Sequence, residues 1–435
     1  MMPSDAPSGS DPVAAFVAAV NGGDVGGVRH LLGTHPELAA RINDSLPGFS
    51  FGATPLLAAL PAGNPELIDL LLEVGADINQ KSRWWAGGFG VLDGDHGLSE
   101  LLIDRGAAVD VHAASRLGRL DRLDQLLSAD PGLVHARGGD GQTPLHVAPN
   151  VEVAAYLLDH GADIDALDID HESSAAQGMV GDRKEVARFL ASRGCRTDIL
   201  LAAALGDLGL VRKHLNDDPG SVRMRVSDEY FPKRDPRAGG TIYQWSLGPH
   251  KTAHLLAREA GRDDIVDLLM EQSPIELQLA SACELGDEAR ARALVAKYPD
   301  LLQAMSSADK RSLANAADQN NTEAVRLMLA IGWPVDVPNS RGATALHFAA
   351  WHGNAEMVRE ILRHHPPLEI RDATFNGPPI GWAIYGSAHG DRKRGDYVGT
   401  VEALLQAGAK APPLTQDMEA SAAVLEVLRR SAGSP

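Results

Sequence analysis

Apolar positions recur along this chain as pairs of short helical stripes, repeating about every 33 residues and separated by turns that contain glycine. Thr143-Pro144-Leu145-His146-Val147-Ala148 predicts one helix, Val151 to Asp159 a second, and Gly161-Ala162-Asp163-Ile164-Asp165 closes the unit. Thr344 to Ala350, Gly353-Asn354 and Met357 to Leu362 follow the same plan, as do Thr54 to Ala59 and Gly75-Ala76-Asp77-Ile78-Asn79. Leu71-Leu72, Leu101-Leu102, Leu157-Leu158, Leu268-Leu269 and Leu404-Leu405 fall at equivalent places on the second helices. One unit cannot bury such a face alone, so the pattern predicts a cooperative stack.

A degenerate form of the unit appears four times, ending at Pro36, Pro131, Pro219 and Pro299. Ala202 to Pro219 turns at Gly206-Asp207, and Ala280 to Pro299 at Gly286-Asp287. Each signature residue has a physical task. Thr caps the first helix, Pro occupies a first turn where no amide hydrogen bond is lost, and the closing Gly takes a left-handed conformation.

The Thr-Pro-Leu-His and Gly-Ala-Asp signatures at this period resemble the ankyrin repeat across nearly the whole chain. The fold expected is all-α: an ankyrin-repeat solenoid of about twelve helix-turn-helix units with enlarged β-hairpin or loop fingers and a C-terminal capping helix. The expected divisions are a disordered tail at 1–10, the array at 11–415, the capping helix at 416–430 and a second disordered tail at 431–435. The resemblance implies that fingers and first helices build a concave binding face.

Three breaks in the repeat stand out. Lys81 to Gly97, Ser227 to Thr252 and Thr374 to Tyr397 make up 67 of the 435 residues but hold 11 of the 20 Phe, Trp and Tyr. Aromatic residues gathered in irregular connections suit contact with another molecule. The candidate ligand-binding residues are Trp84, Trp85, Phe89, Tyr230, Tyr243, Trp245, Trp382 and Tyr385, joined by Trp351 and His352, which the resemblance places beside the inter-helix Gly353 and facing the groove. The bland alternative is that such rings fill gaps where a long loop folds back on its own repeat.

Catalytic chemistry has weaker support. Asp93, Asp95, His250, His254, His352 and His389 are candidate acid–base groups near the aromatic residues, the arrangement a sugar-binding or glycosidase-like site uses. Acidic residues are common throughout, however, so the solvated-surface reading competes. His250 and His254 have i, i+4 spacing, yet no third ligand completes a zinc set, so neither metal nor cofactor is expected. Asp93-Gly94-Asp95-His96-Gly97 lacks the twelve-residue calcium-loop spacing, and Gly87-Gly88-Phe89-Gly90 follows no evident strand. His146 and His347 occupy signature positions and are expected to be structural.

Charge and cysteine content narrow the classes further. A formal charge of −18 opposes nucleic acid and anionic membranes, although Lys233, Arg234 and Arg237, then Arg392, Lys393 and Arg394, reverse it locally. Cys195 and Cys283 are too few for a disulfide framework and are expected as buried thiols in a cytoplasmic, monomeric, acidic protein. Met1 to Ser10 lacks a basic n-region and does not read as a signal peptide. The leading function class is a non-enzymatic binding protein that engages a protein partner through its groove. The alternative is an enzyme or receptor for a small molecule or carbohydrate, a hydrolase or lyase if catalytic.

Overall fold

Helix follows helix through the chain, and the computed structural model describes residues 11–94, 96–391, 394–415 and 418–432. Asp95 and the basic residues Arg392 and Lys393 lie outside the described residues. The chain divides into two compact units: one runs to Arg196 and includes Pro232–Ile242, and the other comprises Thr197–Phe231 and the chain from Tyr243 onward.

In the first unit, Pro55–Ala59 precedes Pro65–Glu73, Val111–Arg116 precedes Leu120–Ala129, and Ala175–Met179 precedes Lys184–Ser192. One repeat departs from the pairing: 81–94 and 96–98 are turns and irregular backbone, and among the described residues only the second helix, Ser99–Asp104, is present. The irregular backbone holding Trp84, Trp85 and Phe89 thus occupies the place of a first helix.

In the second unit, helix pairs run from Ile199–Leu205 with Leu208–Asp217 to Pro379–His389 with Tyr397–Gln406, followed by Ala422–Ala432. Among the described residues the connections form no extended ladder. They carry isolated antiparallel bridges, Leu167 to Ser174 in the first unit and Arg225 to Thr252 in the second.

Packing follows the leucine pattern. Leu71, Leu102, Leu157, Leu269 and Leu404 are fully buried, while the other member of each pair is half-buried. Each fully buried leucine contributes about 2 kcal/mol of apolar burial. Side chains also stitch neighbouring repeats. Asn79 donates to the Gly106 carbonyl (3.3 Å) and accepts from the Ala108 amide (2.8 Å), repeating what Asn43 does with Gly75 and Asp77.

Caps set the helix starts. Thr143 and Thr344 form capping boxes in which the His146 and His347 rings answer the cap residue's own amide, at 3.2 and 3.0 Å. Burial pushes the His146 ring down to about 4, so it works as a neutral hydrogen-bonding group. Thr344→Ala is expected to lower stability by about 1 kcal/mol, seen as a lower urea midpoint with unchanged slope. Gly353 turns at φ +60°, and a Cβ there would lie 2.9 Å from Tyr397 Cδ1, so turn and close packing both require glycine.

Candidate functional site

The second unit contains a cleft of about 1000 Å³. One wall comes from the repeat break at Arg223 to Tyr230 with His250, another from helix Ser312–Asp318 and the residues before it, and a third from the Asn339–Ala343 turn. Phe348, Phe375 and Trp382 supply its aromatic side.

Trp382 is the hub of a continuous aromatic row. Its ring meets His347 at 5.3 Å, Phe348 at 5.5 Å, Phe375 at 6.0 Å and Trp351 at 6.5 Å, all edge-on. Trp351 stacks on Tyr385 at 6.3 Å, and Tyr385 on His389 at 4.2 Å. The Trp382 indole N–H donates to Asp372 (3.0 Å), whose carboxylate also receives the amides of Thr374, Phe375 and Gly377. The row is therefore built into the finger, and it exposes Phe375 (75%) and Tyr385 (49%).

The polar side carries arginines in two states. Arg223 pairs with Asp309 (3.3 Å) and Arg341 with Asp228 (3.8 Å). Arg225 and Arg311 are half-buried and have no ion pair or side-chain hydrogen bond among the described residues. His250 has a left-handed backbone at φ +59°, and its Nε2 lies 3.0 Å from Asp318 Oδ2. His352 Nε2 donates to the Asp318 carbonyl (2.8 Å), so two of the candidate imidazoles meet at one residue.

The remaining candidates are dispersed. Tyr243 is fully buried, donates to Asp198 (2.9 Å) and takes the Phe231 edge at 5.3 Å, which makes it a core residue. His254 is also fully buried against Ser273 (2.9 Å), and burial pushes it down to about 4. His250 and His254 thus serve different partners. Trp245 is 61% exposed, Tyr230 lines the cleft, and His389 pairs with Glu419.

A separate aromatic group lies in the first unit. Trp84 meets Phe51 at 5.0 Å and Trp85 at 6.2 Å, and Phe89 meets Phe51 at 5.8 Å. The Trp84 indole N–H donates to Asp140 (3.0 Å), and the Arg237 guanidinium lies 4.4 Å above the Trp85 ring. Asp93 accepts from the Gly90 amide (2.6 Å) and shapes the loop.

Sequence reasoning misses Phe51, Arg225, Arg311 and Asp318. Phe51 sits before an ordinary repeat, and single arginines or aspartates on fingers look the same whether solvated or in a cleft. Phe375 is in an aromatic-rich break, and that enrichment is the one signal available.

The fold defines a helix-pair repeat protein. Ankyrin-repeat family models match residues 51–83 and 140–169 ("Ankyrin repeat") and 313–359 ("Ankyrin repeats (many copies)"). The chain is 23% identical over 343 residues to the ankyrin repeat protein nuc-2 of Neurospora crassa, covering 74% of this chain and 25% of that protein. It is 26% identical over 155 residues to the palmitoyltransferase Hip14 of Drosophila melanogaster, covering 34% of this chain and 23% of that protein. It is 38% identical over 73 residues to the serine/threonine-protein kinase VIK of Arabidopsis thaliana, covering 16% and 17%. The chain thus spans about a quarter or less of the length of these relatives. The chain carries ankyrin repeats. No described helix is long and apolar enough to cross a membrane.

Proposed function

We propose that the second unit captures an extended segment of a protein partner in its cleft, seating an apolar or aromatic side chain on the Phe375–Trp382 row and an anionic side chain on Arg225 and Arg311. The observation that carries this reading is the pair of half-buried guanidiniums without ion-pair partners, facing a cleft with an aromatic side. Arginine suits a carboxylate because its planar fork gives two parallel hydrogen bonds. Trp, Tyr and Arg are also the residues that dominate binding energy at protein interfaces.

The test is selection of peptides from a random displayed library against the folded chain, followed by titration of the enriched sequences. Enriched peptides are expected to combine an aromatic residue with Asp or Glu. Arg311→Ala is expected to weaken them by at least about tenfold, the cost of one charge-assisted contact, while Trp245→Ala leaves them unchanged. Peptides that bind Arg311→Ala as tightly as the parent would remove the proposal.

A second reading rests on His250. A strained histidine paired with a carboxylate inside a cleft suits acid–base chemistry on a small molecule or carbohydrate. Turnover of a nitrophenyl glycoside or ester that survives His250→Gln would eliminate the dyad as its source.

A further inference from the structure

We propose that Asp140, Asp170 and His171 in the first unit bind one divalent transition-metal cation of the zinc or manganese class. One ligand atom from each residue lies within 4.8 Å of the others. This site is separate from the cleft and independent of the partner reading.

Successive fingers bring the three together. Asp140 turns at φ +55°, and its carbonyl accepts the amides of Ile169 (2.9 Å) and Asp170 (3.1 Å), which fixes one finger against the next. Residues Pro232–Ile242 then lie over the cluster. The Gly239 amide donates to the Asp170 carbonyl (2.8 Å), and Glu172 accepts the amides of Arg234 and Asp235. A Cβ on Gly239 would lie 3.1 Å from the His171 ring and 3.2 Å from Asp170 Oδ2, so glycine permits this approach.

His171 Nδ1 lies 3.1 Å from the Gly240 carbonyl, an acceptor only, so this nitrogen carries the proton. In the neutral ring Nε2 then presents its lone pair to Asp170 Oδ2, 3.6 Å away. A histidine that donates one N–H to a backbone carbonyl and turns the other nitrogen to a carboxylate has the orientation of a metal ligand with its supporting hydrogen bond.

Asp170 supplies the independent observation. It is 6% exposed, and its Oδ1 is buried without a hydrogen-bond partner. Among the described residues no Lys or Arg lies within ion-pairing distance of Asp140, Asp168 or Asp170, although all three carboxyls share this finger pair. Among the described residues His171 is the one cationic group paired with Asp170, and a divalent ion at this point balances the buried carboxylates more fully than one imidazole does. Two oxygens and one imidazole nitrogen suit a borderline cation, with water completing its shell, whereas calcium and magnesium favour oxygen alone. Zinc with bonds of about 2.1 Å sets tetrahedral ligand atoms about 3.4 Å apart, so the side chains need to close by about 1 Å.

The Trp84 indole hydrogen bond to Asp140 provides a reporter. The chelator-treated full chain is titrated with Mn2+ while tryptophan fluorescence is followed, and with Zn2+ by calorimetry. Quenching is expected to saturate at one Mn2+ per chain, Zn2+ is expected to reverse it, and calorimetry is expected to give one zinc site. Asp170→Asn and His171→Ala are expected to weaken binding at least tenfold, as is Asp140→Asn, which keeps an oxygen for Trp84. Circular dichroism identifies which variants fold. No saturable binding by the parent, or affinity equal to the parent's in any two folded variants, overturns the site.

Discussion

Trp382→Ala is expected to lower the stability of the second unit by about 3 kcal/mol, the low end for removing a large aromatic residue, because this ring is only half-buried. It is expected also to abolish binding of library-selected peptides at temperatures where the variant remains folded. The two losses have separate causes. Stability falls because four rings lose their common neighbour and Asp372 loses the indole donor that helps it close the finger. Binding falls because the exposed Phe375 loses the ring behind it. Trp382→Phe isolates the hydrogen bond, since it keeps most of the aromatic wall, and is expected to cost about 1 kcal/mol. Urea denaturation and peptide titration of both variants check the pair of effects. Undiminished peptide affinity in folded Trp382→Ala would show that the aromatic row has no part in recognition.

Glu284→Gln is expected to stabilise the protein by about 3 kcal/mol above pH 7 and to change the slope of stability against pH. Glu284 ends helix Ile275–Glu284 in the core, 6% exposed. Burial pushes its carboxyl from an ordinary 4.5 up to about 7, against smaller downward pulls from the Arg225 charge and the Thr252 hydroxyl. Between those values the folded state holds a proton that the unfolded chain has released, so this group's contribution is lost as pH rises from about 4.5 to 7. Glutamine is neutral throughout and removes that loss. His254 and His146 act in the opposite direction. Burial holds both near 4, so their contribution is lost as pH falls below the ordinary 6.5. The parent profile is therefore the flatter one, and Glu284→Gln is expected to show the steeper rise between pH 4.5 and 7. Thermal melts across this range read the difference directly. Parallel profiles for the two proteins would mean that Glu284 is ionised at no cost.

The repeat is legible because each of its devices is local. Thr344 and His347 are three residues apart and form their box within one turn, and the leucine pairs are adjacent in sequence. The buried state of Cys195 and Cys283 follows from the same helical pattern. Which aromatic rings face a cleft is less local. Trp351, Trp382 and Tyr385 are both sequence candidates and members of one row, but Tyr243 has the same chemistry and lies in the core, because Asp198, 45 residues away, offers its hydroxyl a buried acceptor. The His250–Asp318 pair and the Asp140–Asp170–His171 cluster join residues on different repeats. Their meeting depends on the stacking offset between fingers, which no window of one repeat length contains.

The path of the chain also limits how the protein can be divided. The chain leaves the first unit at Arg196 and returns to it for Pro232–Ile242 before resuming the second from Tyr243. A recombinant fragment ending at Arg196 would keep every helix of the first unit but lose the Gly240 carbonyl that orients His171 and the amides that hold Glu172. Truncation by helix boundaries would then misjudge the first unit, and a faithful excision needs residues 232–242 restored by a linker or supplied as a separate peptide.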